Sequence, residues 1–225
     1  PDFPPPHTLS EGNLWLPERY RRHITLVGPI LPTRPEELPS RAEIRKDLGL
    51  GDERLIFAPL SGPPEERAHF ARVLRPIFRG FPREYRVVMS LGHPENPSRP
   101  VREGNLTVYP WVANRFEYLK ACDLVVARAG HGTLTQAICY GKPLVLVPTP
   151  NHSEQINNAR RAAELGIAEV TEQGRLTRQR LLAAVEKMLS PDYGEMVRRV
   201  QGDVLELNGV EAAVRVITEA AEQGD

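Results

Sequence analysis

Along this chain the apolar residues form short unbroken runs that alternate with stretches whose apolar positions recur every three to four residues. The runs RLIFAPL (54–60), YRVVMSL (85–91), LTVYP (106–110), DLVVA (123–127), PLVLVP (143–148) and IAEV (167–170) predict strands. Between them, EERAHFARVLRPIFRGF (65–81) predicts a helix with Phe70, Val73, Leu74, Ile77 and Phe78 on one face. RFEYLKAC (115–122), GTLTQAICYG (132–141), SEQINNARRAAELG (153–166) and LTRQRLLAAVEKML (176–189) predict further helices. RRVQGDVLEL (198–207) and GVEAAVRVITEAAEQ (209–223) complete the set. The later strands are apolar throughout rather than alternating, so both of their faces must be covered. That pattern predicts an α/β domain with a Rossmann-like parallel sheet and helices on both faces. GHPENPSRPVREG (92–104) reads as a polar loop.

The start of the chain has a different texture. Nine of the 22 prolines fall in the first 40 residues, around one β-like run, ITLVG (24–28). Proline removes a backbone donor and disfavours helix in the residue before it, so residues 1–39 read as an extended arm or interdomain linker. A compact unit is expected over 40–225. It opens with a capping box, Ser40 followed three residues later by Glu43, on a helix ending near Gly49.

Composition narrows the function classes. With 29 basic and 29 acidic residues, no global field draws the chain to nucleic acid or to an anionic surface, so any phosphate site must be local. Cys122 and Cys139 belong to no CxxC pair and no metal-spaced cluster; buried free thiols are expected. No apolar run approaches a membrane span, and no signal peptide is visible, which reads as a soluble cytoplasmic chain.

In an open parallel sheet, ligands bind at the carboxyl ends of the strands. RAGHGT follows the DLVVA strand with two glycines at a helix start, where free N–H groups and the positive dipole end favour an anion. Gly130 and Gly132 fit either a phosphate approach or a tight turn, and His131 either a phosphate donor or a solvated loop residue. Gln136, one turn into that helix, fits ribose hydroxyls or solvent. A second junction, NHSEQINNA, places Glu154 and Gln155 where sugar hydroxyls could be bound. There Asn151 or Ser153 is the expected helix cap. Trp111 and Val112, just past LTVYP, suit a nucleobase or the core. Ser61 and Gly62, in SGPP, occupy a loop at the same sheet edge. P-loop, complete GxGxxG and GxSxG patterns are absent, as are a DxD-like pair and a Ser/His/Asp set.

YPWVANRFEYLKACDLVVARAGHGTLTQAICYGKPLVLVPTPNHSEQINNARRAAELG resembles the donor-binding C-terminal domain of GT-B glycosyltransferases of the MurG type. The likeness covers roughly residues 50 to 190 and is densest from Val108 to Gly166. It implies that the chain is the C-terminal half of a GT-B fold and binds a UDP-sugar, without metal or other cofactor. By that resemblance the backbone at Trp111 and Val112 takes the uracil edge. Gly130, His131, Gly132 and Thr133 hold the diphosphate, and Ser61-Gly62-Pro63-Pro64 replaces the family's glycine-rich first loop, a departure that weakens backbone approach to phosphate there. Gln136 stands where the family carries an acidic ribose ligand, a departure that weakens the nucleotide assignment. Glu154 and Gln155 fall on the sugar-binding pair, and Asn158 on a structural Asn.

The implied reaction is inverting transfer of a sugar, N-acetylglucosamine in the MurG case, to a lipid-linked or protein acceptor. Residues 1–39 would be the remnant of an N-terminal acceptor domain that supplies the general base, either upstream in the chain or as a separate partner chain. Through that domain the enzyme would lie peripherally at the membrane. The last two helices would cross back toward it. Alternatives are a nucleotide-sugar hydrolase or epimerase on the same fold, and a non-catalytic nucleotide-sugar-binding subunit of a split transferase.

Overall fold

A computed structural model of the chain describes residues 1–13, 16–96 and 98–222. Among these described residues seven strands form one sheet: β1 (Arg54–Pro59), β2 (Tyr85–Ser90), β3 (Val101–Glu103), β4 (Leu106–Tyr109), β5 (Leu124–Ala127), β6 (Leu144–Leu146) and β7 (Ala168–Val170). Their spatial order is β3-β4-β2-β1-β5-β6-β7. Every adjacent pair is parallel except β3–β4. The helices are α1 (Glu18–Arg21), α2 (Arg41–Asp47), α3 (Pro64–Arg79), α4 (Arg115–Ala121), α5 (His131–Cys139), α6 (Ser153–Glu164), α7 (Arg178–Met188), α8 (Pro191–Leu205) and α9 (Gly209–Glu222). Gln223, expected at the end of the last helix, lies outside the described residues.

Successive strand residues point to opposite faces, and the core divides accordingly. Leu55 and Phe57 of β1 pack with Leu134 and Ile138 of α5, Ala159 of α6 and Val200 of α8. Ile56 and Ala58 pack instead with Phe70, Leu74 and Phe78 of α3 and Leu181 and Val185 of α7. Each large apolar side chain so buried contributes roughly 1.5–3 kcal/mol. Of the five apolar residues expected on one face of α3, Val73 and Ile77 are half-buried at its margin.

At the amino ends of the strands a polar cluster ties the layers together. Asp123 accepts from the Leu55 amide at 2.7 Å, from Arg41 at 2.7 Å and from Arg45 at 3.3 Å. Beside it the Lys142 ammonium donates to the carbonyls of Lys120 and Cys122 at 3.0 and 2.9 Å. The carboxyl ends of the strands, where ligands bind in open parallel sheets, lie at the opposite end from this cluster. Both cysteines are buried; desolvation pushes the Cys122 thiol up to about 11 and the Cys139 thiol up to about 12.

Three features differ from the sequence reading. The expected strand ITLVG (24–28) joins no sheet. The Gly28 amide donates to Asp2 O at 2.9 Å, and the segment runs against the α8–α9 junction. There a Cβ on Gly209 would stand 2.2 Å from Pro29 O. The loop at 92–104 contains β3, which turns into β4 through Gly104 at φ +65° and Asn105. The proline-rich start, finally, is extended but docked: Phe3 and Leu9 are fully buried in the α5/α6 layer. The capping box on α2 forms as read, Ser40 Oγ accepting from the Glu43 amide and the Glu43 carboxylate from the Ser40 amide. Among the described residues no helix is long and apolar enough to cross a membrane.

Candidate functional site

The site is built where β5 gives way to α5. Ala127 ends the strand, and Arg128, Ala129 and Gly130 turn the chain into a helix that begins at His131. Arg128 is buried; its guanidinium lies over the Phe70 ring at 3.9 Å and donates to Val147 O at 3.0 Å, binding the ends of β5 and β6 together. Burial pushes its pKa down from the usual arginine range.

Gly130 is the N-cap of α5 and supplies no side chain to the helix start. The Thr133 and Leu134 amides donate to Gly130 O at 3.1 and 3.2 Å, so the two amides before them, at His131 and Gly132, precede the first intrahelical bond. At three helix starts Ser40, His152 and Thr177 accept from a first-turn amide, whereas the starts of α1, α3, α4 and α8, like that of α5, carry no side-chain cap among the described residues. Around α5 the space is open, since a Cβ added at Gly130 or Gly132 would meet nothing within 4 Å. An uncapped helix start facing open space is suited to an anion.

A cavity of about 260 Å³ lies beside this helix start and brings together six of the residues singled out in the sequence: Ser61, Gly62, Trp111, Val112, Thr133 and Gln136. Trp111 is 40% exposed, while Val112 is buried and its amide donates to Ser90 Oγ at 3.2 Å. That bond occupies the Val112 N–H. Arg67 and Arg115 also line the cavity. Neither stood out in the sequence, because a guanidinium reaching a crevice from a helix or loop several residues away leaves no spacing signal.

The remaining candidates lie elsewhere around the crevice. His131 turns its ring toward the N-terminal segment, with Nε2 3.1 Å from Asp2 Oδ1 and Nδ1 3.4 Å from Thr135 Oγ1. At the start of α6 the cap is His152, whose Nδ1 accepts from the Gln155 amide at 3.4 Å, rather than Asn151 or Ser153. Gln155 Oε1 accepts from the Thr149 amide at 2.9 Å, and Glu154 is exposed. Neither lines the cavity above. Asn158 is fully buried and donates to Ala129 O at 3.1 Å, pinning α6 to the turn before α5. A larger, mainly apolar cavity of about 790 Å³ opens beyond α6, between Thr149, Ile156 and the loop after β7.

Asp2 joins the N-terminal segment to α5. Its carboxylate accepts from the amides of Phe3, Leu9 and Ser10 and from Ser10 Oγ. Burial alone would raise its pKa, but the His131 imidazole 3.1 Å away and the hydrogen bonds from Ser10 outweigh that and hold it at about 2, below the ordinary 3.8. A carboxylate depressed in this way stabilises the docked segment fully above the ordinary value and loses that contribution as pH falls toward 2. Asp2→Asn is therefore expected to undock the segment at neutral pH, seen as faster limited proteolysis within residues 1–13. Cleavage at the wild-type rate would contradict that role.

A largely parallel α/β sheet with an open helix start and a cavity at its carboxyl edge has the arrangement of nucleotide-binding folds. Comparison with known proteins narrows the class. Residues 71–201 match the model of the glycosyltransferase family 28 C-terminal domain. The chain belongs to this family. It is 34% identical over 182 residues, 73% of this chain and 48% of the relative, to a UDP-N-acetylglucosamine–N-acetylmuramyl-(pentapeptide) pyrophosphoryl-undecaprenol N-acetylglucosamine transferase of Desulforudis audaxviator. It is 27% identical over 194 residues, 86% of this chain and 54% of the relative, to an uncharacterized glycosyltransferase of Methanopyrus kandleri. Among solved structures, the glycotransferase of kitacinnamycin superposes with a TM-score of 0.65 at 24% identity, over 87% of this chain and 49% of that one. The shared fold is that of GT-B glycosyltransferases, as the MurG-type resemblance implies. The chain spans about half the length of the curated relatives it matches.

Proposed function

We propose that this chain forms the donor-binding part of a glycosyltransferase that moves a sugar from a UDP-sugar to an acceptor. The observation that carries the reading is the uncapped start of α5, open at Gly130 and Gly132 and bordering the cavity that holds Thr133, Gln136 and Trp111. In this reading the diphosphate lies on the His131 and Gly132 amides and Thr133. The ribose reaches Gln136, and the base rests against Trp111 and the Val112 carbonyl. The sugar then extends toward the α6 start, where Glu154 is free to turn inward and Gln155 sits at the junction.

The chemistry follows from the charge that develops. As the anomeric carbon parts from the donor, negative charge grows on the leaving diphosphate, and fixed amides with a helix dipole stabilise it without reorganising. An acceptor oxygen attacking from the opposite face inverts the anomeric centre, its proton passing to a base outside the donor-binding domain. N-acetylglucosamine is the sugar favoured by the 34% identical relative, whose name states that it transfers that sugar.

Calorimetric titration of the chain with UDP, UDP-N-acetylglucosamine, UDP-glucose, GDP and dTDP tests the reading. Uridine nucleotides are expected to bind most tightly, and absence of heat with every nucleotide would refute it. Gln155→Ala is expected to weaken UDP-sugar binding by roughly two- to tenfold, the scale of one neutral hydrogen bond, while leaving UDP unchanged. Equal losses for both ligands would remove Gln155 from the sugar.

A further inference from the structure

We propose that Arg67 grips the donor's diphosphate from the α3 side of the crevice, taking over from backbone donors that this chain lacks. The inference rests on the nucleotide-sugar reading and adds a residue to it. The loop after β1 is Ser61-Gly62-Pro63-Pro64, and α3 begins at Pro64 with Pro63 as its N-cap. Two successive prolines remove two amide donors at a helix start on the site's own edge. Among the described residues no side chain caps this start, and the Arg67 amide is spent on Pro63 O at 3.0 Å. A phosphate approaching from this side therefore meets fewer backbone donors than an ordinary helix start presents.

One turn into the same helix, the Arg67 guanidinium lines the cavity shared with Ser61, Thr133 and Gln136. Among the described residues, one of its five donors is engaged: Nη1 donates to Gly92 O. Nε is buried with no hydrogen-bond partner among the described residues. Several arginines around the sheet behave otherwise. Arg41, Arg45 and Arg54 converge on Asp123, and Arg75 and Arg79 on Glu103. Among the described residues Arg67 has no carboxylate within ion-pairing distance, and no acidic residue lines its cavity. A buried N–H without an acceptor costs about 1–3 kcal/mol, so its persistence calls for an explanation. A phosphate supplies one: a small rotation presents Nε and Nη2 together as the two-pronged donor that fits phosphate oxygens.

Local backbone geometry keeps the guanidinium there. Gly92 sits at φ +74°, and a Cβ on it would fall 2.6 Å from Arg67 Nη1 and 2.8 Å from Leu60 O. The loop after β2 must carry glycine at this position for the arginine to lie against it. Arg115, on the opposite element of the same cavity, adds a second cation without a carboxylate partner among the described residues.

Calorimetry on the 225-residue chain with UDP, uridine and inorganic pyrophosphate, in wild type, Arg67→Ala and Arg67→Lys, tests the assignment, with thermal midpoints recorded for each. Arg67→Ala is expected to weaken UDP and pyrophosphate about ten- to a hundredfold, the scale of lost hydrogen bonds to a charged group, and to leave uridine unchanged. Arg67→Lys keeps the charge without the fork and is expected to fall between. The wild type should also lose UDP affinity more steeply with added salt than Arg67→Ala. Undiminished UDP affinity in Arg67→Ala would overturn the assignment while leaving the nucleotide-sugar reading intact. Parallel loss of uridine, or a lowered midpoint that Arg67→Lys repairs together with UDP binding, would make Arg67 a structural strut and overturn it as well. Arg67-dependent pyrophosphate binding without any UDP binding would sustain the anion site and sink the nucleotide reading. A wild type that binds neither would sink both.

Discussion

Gly132→Val is expected to reduce affinity for UDP and for a UDP-sugar alike by about a hundredfold or more, with the fold essentially unchanged. Gly132 is the second residue of α5, and a Cβ there meets nothing within 4 Å, so the protein itself does not require glycine at this point. Glycine and valine differ by only a few tenths of a kcal/mol in helix propensity, which keeps the stability change small. The branched side chain would instead fill the space over the His131 and Gly132 amides. A diphosphate displaced from them forfeits charge-assisted hydrogen bonds of roughly 1.5–3 kcal/mol each together with the dipole end. Because phosphate is common to both ligands, both must suffer. Unchanged UDP affinity, measured by calorimetry beside an unchanged thermal midpoint, would remove this helix start from the site.

The largest effect on stability is expected at the other end of the sheet. Asp123→Ala should lower the free energy of unfolding by about 3–5 kcal/mol, the usual cost of removing one partner from a buried ion pair. Asp123 is 12% exposed and Arg45 13%, so the arginine left behind is largely cut off from water. The Leu55 amide would also lose its acceptor at the first turn of β1 into the core. Asp123→Asn, which retains an oxygen for that amide, should cost less. Urea denaturation reads both, and a loss under 1 kcal/mol for Asp123→Ala would show that Arg45 is held by its bonds to Gly51, Glu53 and Ala121 carbonyls alone. Nucleotide affinity at low temperature should survive, since this cluster and the crevice lie at opposite ends of the strands.

The central sheet was legible because strands buried on both faces carry runs such as LIFA and LVVA that no helix or loop needs. Short elements escaped for physical reasons. β3 is an exposed edge with one apolar residue, and its available sign was the Gly104-Asn105 turn rather than a hydrophobic pattern. ITLVG has the composition of a strand but packs beside a helix junction, where composition alone decides nothing. Of the candidate site, the parts made by local backbone were readable: Gly130 and Gly132 at a strand-to-helix junction, and Thr133 and Gln136 on its first turns. Parts made by side chains from distant segments were not. His131 facing Asp2 and Arg67 facing Gly92 depend on contacts across 129 and 25 positions of the chain. Pro63 and Pro64, where the family carries a glycine-rich loop, were visible in the sequence; the Arg67 side chain beside them in the cavity was not.

Amide chemical-shift mapping of the ¹⁵N-labelled chain during titration with UDP addresses the central claim most directly, because it reports the place as well as the fact of binding. The amides of His131, Gly132 and Thr133 and the Trp111 indole should shift together and saturate along one binding curve. No shifts, or shifts confined to the apolar cavity between Ile156 and the loop after β7, would contradict the assignment of the α5 start as the nucleotide site.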